Sequence, residues 1–130
     1  MIIEHRCEHG IDIVTILANR VCLDNGDELA NAVMSIAEQG TGRLVIDASA
    51  VLFEDSYIGV TGLCIKALKM VHPRGGYVYL TGLQPGVQSL FKLSRMDQVF
   101  PVYDSVDAAV DAIRARFDDG ELKADANGEG

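Results

Sequence analysis

The sequence predicts an α/β domain in which a four- or five-stranded mixed β-sheet carries about four α-helices. Short β-rich apolar runs alternate with longer segments whose apolar residues recur every three or four positions, the order that builds layered α/β domains. The first two runs are separated by only a few polar residues and a glycine, so the chain opens with a hairpin before the alternation begins. With 130 residues, 48% of them hydrophobic, the chain fills one core and has no room for a second.

In IIEHRCEHGIDIVTILA the two runs meet at Glu8, His9 and Gly10, and Ile11, Ile13, Thr15 and Leu17 follow at period two. Asp24 and Asn25 are good capping residues ahead of Leu29, Ala30, Val33, Ile36 and Ala37, which keep helical spacing until Gly40. RLVID, Arg43 to Asp47, is a short apolar run after Gly42, as expected of a central strand buried on both faces. From Ser56 to Val71 the set Val60, Leu63, Cys64, Ala67, Leu68 and Val71 predicts a second helix that stops ahead of Pro73 and Gly75-Gly76. Tyr77 to Leu80 is the next strand, and Pro85 opens a helix through Val87, Leu90, Phe91 and Ser94. Val99 to Tyr103 reads as the last strand, placed at an edge by Pro101, which has no N–H for the ladder. Asp104 or Ser105 then caps a helix through Val106, Ala109, Val110, Ile113 and Phe117. The domain is thus assigned to 1–117, and DDGELKADANGEG, 118–130, is predicted to be a disordered acidic tail.

Composition excludes several functions. With 11 Lys and Arg against 19 Asp and Glu, the net charge of −8 repels a phosphate backbone, so no nucleic acid is expected as partner; a protein with a basic face fits better. No run is long enough to cross a bilayer, and MIIEHRCEHG lacks a basic region followed by an apolar core. A cytoplasmic protein without direct membrane insertion is expected. Cys7, Cys22 and Cys64 are odd in number and form no CxxC, which predicts free thiols.

His5, Cys7 and His9 alternate, so a strand through all three would turn them to one face, but no fourth ligand accompanies them. They read as half-exposed strand residues, and no metal is expected. TGLQPG ends a strand and opens a helix without the spacing of a phosphate-binding loop, so no cofactor is expected either. GxSxG is absent, and His72 ahead of Pro73 reads as a helix-end residue. No catalytic residue, and no enzyme, is predicted.

EDSYIGV, Glu54 to Val60, is different because its features converge. Ser56 falls at or near a helix N-cap, where a phosphate would meet free N–H groups and the positive end of the helix dipole. Phosphorylation would add up to about two negative charges beside Glu54 and Asp55, enough to unseat a docked partner. On the residues alone, a plain N-cap worth about 1 kcal/mol accounts for Ser56 equally well.

VIDASAVLFEDSYIG resembles a pattern of the STAS domain, the family named after sulfate transporters and anti-sigma-factor antagonists: a strand ending in Asp, a Ser two residues on, an apolar pair, then Asp-Ser. RGGYVYLTGLQPGVQSLFKLSRMDQVFPVYDSVDAAV resembles the second half of bacterial single-domain members, so the likeness runs to about Phe117. The resemblance implies a non-enzymatic partner switch. Such a protein binds a serine/threonine kinase that is often also an anti-sigma factor, loses it on phosphorylation at the start of the second helix, and is restored by a metal-dependent serine phosphatase. Asp55 matches the motif's Asp and Ser56 the hydroxyl residue after it.

Many antagonists carry their acceptor one place later, as a second Ser followed by Gly-Leu, where this chain has Tyr57 and then Ile58. DSYIG and TGLQP are similar to the stressosome-scaffold branch, whose acceptor is the first hydroxyl, whereas MDQVFPVYDSVDAAV is similar to an ordinary antagonist. The family's Gly-x-Leu-Asp ahead of the first helix is replaced by Asn19, Arg20, Val21 and Cys22, leaving Asp24 or Asn25 for its role. Glu54 stands where an apolar residue is usual, and is therefore expected to be exposed beside the phosphosite. The resemblance thus implies phosphorylation at Ser56 and a partner face of Asp24, Asn25, Glu54, Asp55, Tyr57 and Ile58. A scaffold module that forms a homo-oligomer, and a cytoplasmic subunit of an ABC-type lipid transporter, are the alternatives.

Overall fold

The hairpin forms where the sequence expects it, and a computed structural model describes the chain over residues 2–118, with side chains to Arg116. Strand β1 (Ile3–Glu8) runs antiparallel to β2 (Ile11–Ile16). His9 and Gly10 join them with φ of 53° and 73°, the left-handed pair that matches the twist of a two-residue hairpin. After helix α1 (Gly26–Gln39) come β3 (Arg43–Asp47), helix α2 (Tyr57–Val71), β4 (Tyr77–Thr81), helix α3 (Pro85–Leu93), β5 (Val102–Tyr103) and helix α4 (Val106–Ile113). One sheet holds them in the order β1-β2-β3-β4-β5, with every pair after the first parallel. The expected mixed α/β architecture is the observed one, with five strands and four α-helices among the described residues.

Two apolar layers sandwich the sheet. Val14, Ile16, Leu44, Ile46, Val78 and Leu80 meet α1, α2 and α3 on one face, where Leu29, Val33, Leu63, Cys64 and Phe91 are fully covered. Ile11, Ile13, Val45 and Tyr79 meet Ala109, Val110 and Ile113 of α4 on the other. Ile11 to Val14 are all buried, because helices cover both faces of β2. Leu17 lies past the strand end and is partly exposed.

Two boundaries also move. Of the strand expected over Val99 to Tyr103, only Val102 and Tyr103 pair, at the edge as Pro101 demands, because Met96–Gln98 winds into a 3-10 turn. Ser105 rather than Asp104 caps α4, its Oγ accepting the Ala108 N–H at 3.1 Å. The last helix ends at Ile113 and continues as a π turn over Arg114–Asp118. Asp118 of the expected tail belongs to that turn, and residues 119–130 lie outside the described part.

Candidate functional site

The site is built on the passage from β3 into α2. Phe53 is extended, Glu54–Ser56 forms a single 3-10 turn, and α2 starts at Tyr57 with Ser56 in its N-cap position. Ser56 occupies the predicted position but does not perform the predicted act. Its φ and ψ are helical, at −74° and −10°, and its hydroxyl caps nothing. A helical residue aims its side chain away from the amides ahead of it, so this one turns inward and accepts the Val21 N–H at 2.9 Å. As a result Ser56 is 0% exposed, a correction to the surface serine that the acidic turn suggested.

The neighbouring residues divide between surface and interior. Asp55 is exposed and accepts Arg20 Nε–H at 3.2 Å, while the Arg20 guanidinium lies 3.9 Å from the centre of the Phe53 ring. Glu54 is exposed, as its charge requires, and leans across to α3, where a Cβ added to Gly86 would overlap its carboxylate. That places a negative group beside the first turn of α3. Tyr57 is half-buried, its ring edge-on to Phe91 at 5.5 Å, so it braces α2 against α3. Ile58 points outward and is 78% exposed.

Asn25 precedes α1 but its side chain does not cap it. Instead Oδ1 accepts the Cys22 N–H at 2.9 Å and Nδ2 donates to the Arg20 carbonyl at 2.8 Å, closing the preceding loop on itself. Asp24 is exposed next to it. Leu23, fully exposed, and Ile58 flank an apolar groove of about 340 Å³, completed by Val21, Cys22, Asp55 and Gly59. Leu52 and Phe53 add further exposed apolar surface beside this loop, with Leu52 N–H donating to the Asn19 carbonyl at 2.8 Å. The structure therefore brings Asp55, Ser56, Ile58 and the Asn19–Asn25 loop together, and sends Tyr57 and Glu54 toward α3.

His5, Cys7 and His9 do not form a set. His9 sits in the hairpin turn, and His5 Nε2 lies 2.8 Å from Asp12 Oδ1. Asp12, nearly buried, also accepts from Thr41 through its N–H at 2.8 Å and its hydroxyl at 3.3 Å. Among the described residues no group of three or more His, Cys, Asp or Glu is placed to hold a metal ion, and no helix is long and apolar enough to cross a membrane. Cys64 is fully buried, and burial pushes its thiol well above the usual range, so it is an inert part of the core.

Sequence reasoning missed Val21. Val21 and Cys22 stand in the stretch that departs from the resemblance's Gly-x-Leu-Asp, but nothing local says that the Val21 amide reaches a serine 35 positions on.

A family model described as STAS domain matches residues 3–109. No curated protein matches the chain at a significant level. An anti-sigma-factor antagonist (STAS) domain protein from Planctomyces limnophilus is similar in structure, with a TM-score of 0.72 at 18% identity over 85% of this chain and 96% of that one. An anti-sigma factor antagonist from Mycobacterium paratuberculosis gives a TM-score of 0.67 at 22% identity over 86% and 92%. The anti-sigma factor antagonist SpoIIAA in its unphosphorylated form gives 0.67 at 11% identity over 87% and 96%. The phosphorylated form of the Bacillus protein gives 0.64 at 12% over 86% and 99%. At these identities the likeness is one of fold, and the family model, reaching from β1 into α4, decides membership: the chain belongs to the STAS domain family.

Proposed function

We propose that this chain is a non-enzymatic partner-switching regulator of the anti-sigma-factor-antagonist kind, binding a serine kinase or anti-sigma factor and controlled by phosphorylation at Ser56. One observation carries the reading: within a STAS fold, a hydroxyl residue directly follows an exposed Asp at the entrance to α2. In support, a protein of the same fold, SpoIIAA, is known in unphosphorylated and phosphorylated forms. In the modification, a bond forms between Ser56 Oγ and the γ-phosphorus of a nucleoside triphosphate. The hydroxyl proton passes to a base of the kinase, and the nucleoside diphosphate leaves. A metal-dependent phosphatase reverses the state by hydrolysis.

The partner face is the surface around the groove: Leu23 and Ile58 supply apolar contact, and Asp24, Asn25 and Asp55 supply a polar and acidic rim. Tyr57 and Glu54 support this face from the α3 side. The net charge of −8 favours a partner that presents a basic surface, and the protein works in the cytoplasm, where such kinases act.

The test is incubation of the protein with a lysate of its native cells and labelled ATP. The wild-type chain takes up phosphate and then releases its captured kinase, whereas Ser56→Ala takes up none and shows no ATP-dependent release. Equal labelling and equal release of the two chains contradict the proposal, and shift the reading toward a scaffold module or a transporter subunit.

A further inference from the structure

The acceptor hydroxyl of the proposed switch is completely buried, and its hydrogen-bond donor belongs to one short stretch of chain. From Asn19 to Asn25 this stretch grips the α2 entrance at successive points. The Asn19 carbonyl accepts the Leu52 N–H at 2.8 Å, Arg20 reaches Asp55 and the Phe53 ring, and the Val21 N–H donates to Ser56 Oγ at 2.9 Å. Val21 also presses onto the first turn of α2 so closely that a Cβ at Gly59 would stand 2.5 Å from Val21 Cγ1. The two Asn25 side-chain bonds hold the stretch in this shape.

A phosphoryl group adds a phosphorus and three oxygens at Ser56 Oγ, and a seam this tight has no space for them. The added charge of up to about −2 also requires solvent or cations around it, which the apolar Val21 side does not supply. We infer that Asn19–Asn25 is a hinged cover over Ser56, held shut by the Val21–Ser56 bond in the unmodified protein and displaced when Ser56 carries phosphate. The use of this device rests on the phosphorylation reading, while its geometry does not. Because Val21, Cys22 and Leu23 line the same groove as Ile58, displacing the cover remodels the proposed partner face. The modification is then read as a change of shape as well as of charge.

The experiment needs no kinase. Phosphoserine is installed at position 56 of the full chain during translation, and amide hydrogen exchange is followed by NMR. The Val21 amide exchanges about 100-fold faster or more than in the unmodified protein, while those of Val45 and Leu80 in the central strands keep their protection. Retained protection at Val21 overturns the inference, and so does loss of protection at Val45 and Leu80, because phosphate would then disrupt the core rather than lift a cover.

A second measurement acts on the cover alone. In a Cys7→Ser background, with Cys64 buried and silent, Cys22 reports opening through its rate of reaction with a thiol reagent. Asn25→Ala raises that rate about five-fold, and an unchanged rate contradicts the hinge. Finding no phosphate on Ser56 in native cells would defeat the proposed function and leave these exchange results standing, so the two fail separately.

Discussion

A buried serine and a surface serine predict different mutants. If Ser56 were a surface cap, replacing it would cost about 1 kcal/mol or less; removing a buried acceptor instead strands the Val21 N–H. Ser56→Ala is therefore predicted to lower stability by about 1–2 kcal/mol in urea titration, with Val21 rather than the first turn of α2 losing amide protection. Asp12 is the second residue of this kind, since it collects His5 and both donors of Thr41 from a nearly buried position. Asp12→Ala is predicted to cost about 2 kcal/mol, and Asp12→Asn less, by the same titration. The position of Ser56 was legible because Asp-Ser at a strand-to-helix passage is a local pattern. Its burial was not, and neither was the Asp12 cluster, since their partners lie 35 and 29 residues away.

At the scale of elements, periodicity located all four helices and the buried strand β3, because each buries a face set by its own spacing. It misjudged the start of β5, and could not show the burial of β2, for reasons outside those segments. Helices on both faces bury β2 throughout, and β5 is cut short by the 3-10 turn of Met96–Gln98. One element end depends on a residue from elsewhere. Arg74 donates to the carbonyls of Ala37, at 2.7 Å, and Gly40, at 2.8 Å, and so caps the C-terminus of α1 with charge of the favourable sign. Arg74→Ala is predicted to destabilise the protein by about 1–2 kcal/mol and to raise amide exchange in the last turn of α1 first. Unchanged exchange there would show that α1 needs no such cap.

The whole molecule carries a net charge of −8, and around one loop Leu23, Leu52, Phe53 and Ile58 are exposed beside Asp24 and Asp55. This is the face proposed to receive the partner, since exposed apolar side chains rimmed by polar ones suit docking. Ile58→Asp is predicted to shift stability by no more than about 0.5 kcal/mol, since Ile58 buries little, while abolishing capture of the cognate kinase. Capture that survives in a folded Ile58→Asp protein would place the partner elsewhere on the domain. The family was legible from VIDASAVLFEDSYIG and the second half of the chain, because those segments carry both the fold and the α2 entrance. The cover over that entrance emerges only when loop and helix meet in the folded protein. Modification of Ser56 is decided by fragment-ion mass spectrometry of the protein purified from its native cells, before and after serine-phosphatase treatment. A single phosphatase-sensitive phosphate on Ser56 is expected; a protein unmodified there under all growth conditions, or phosphorylated only at another residue, would rule the switch out.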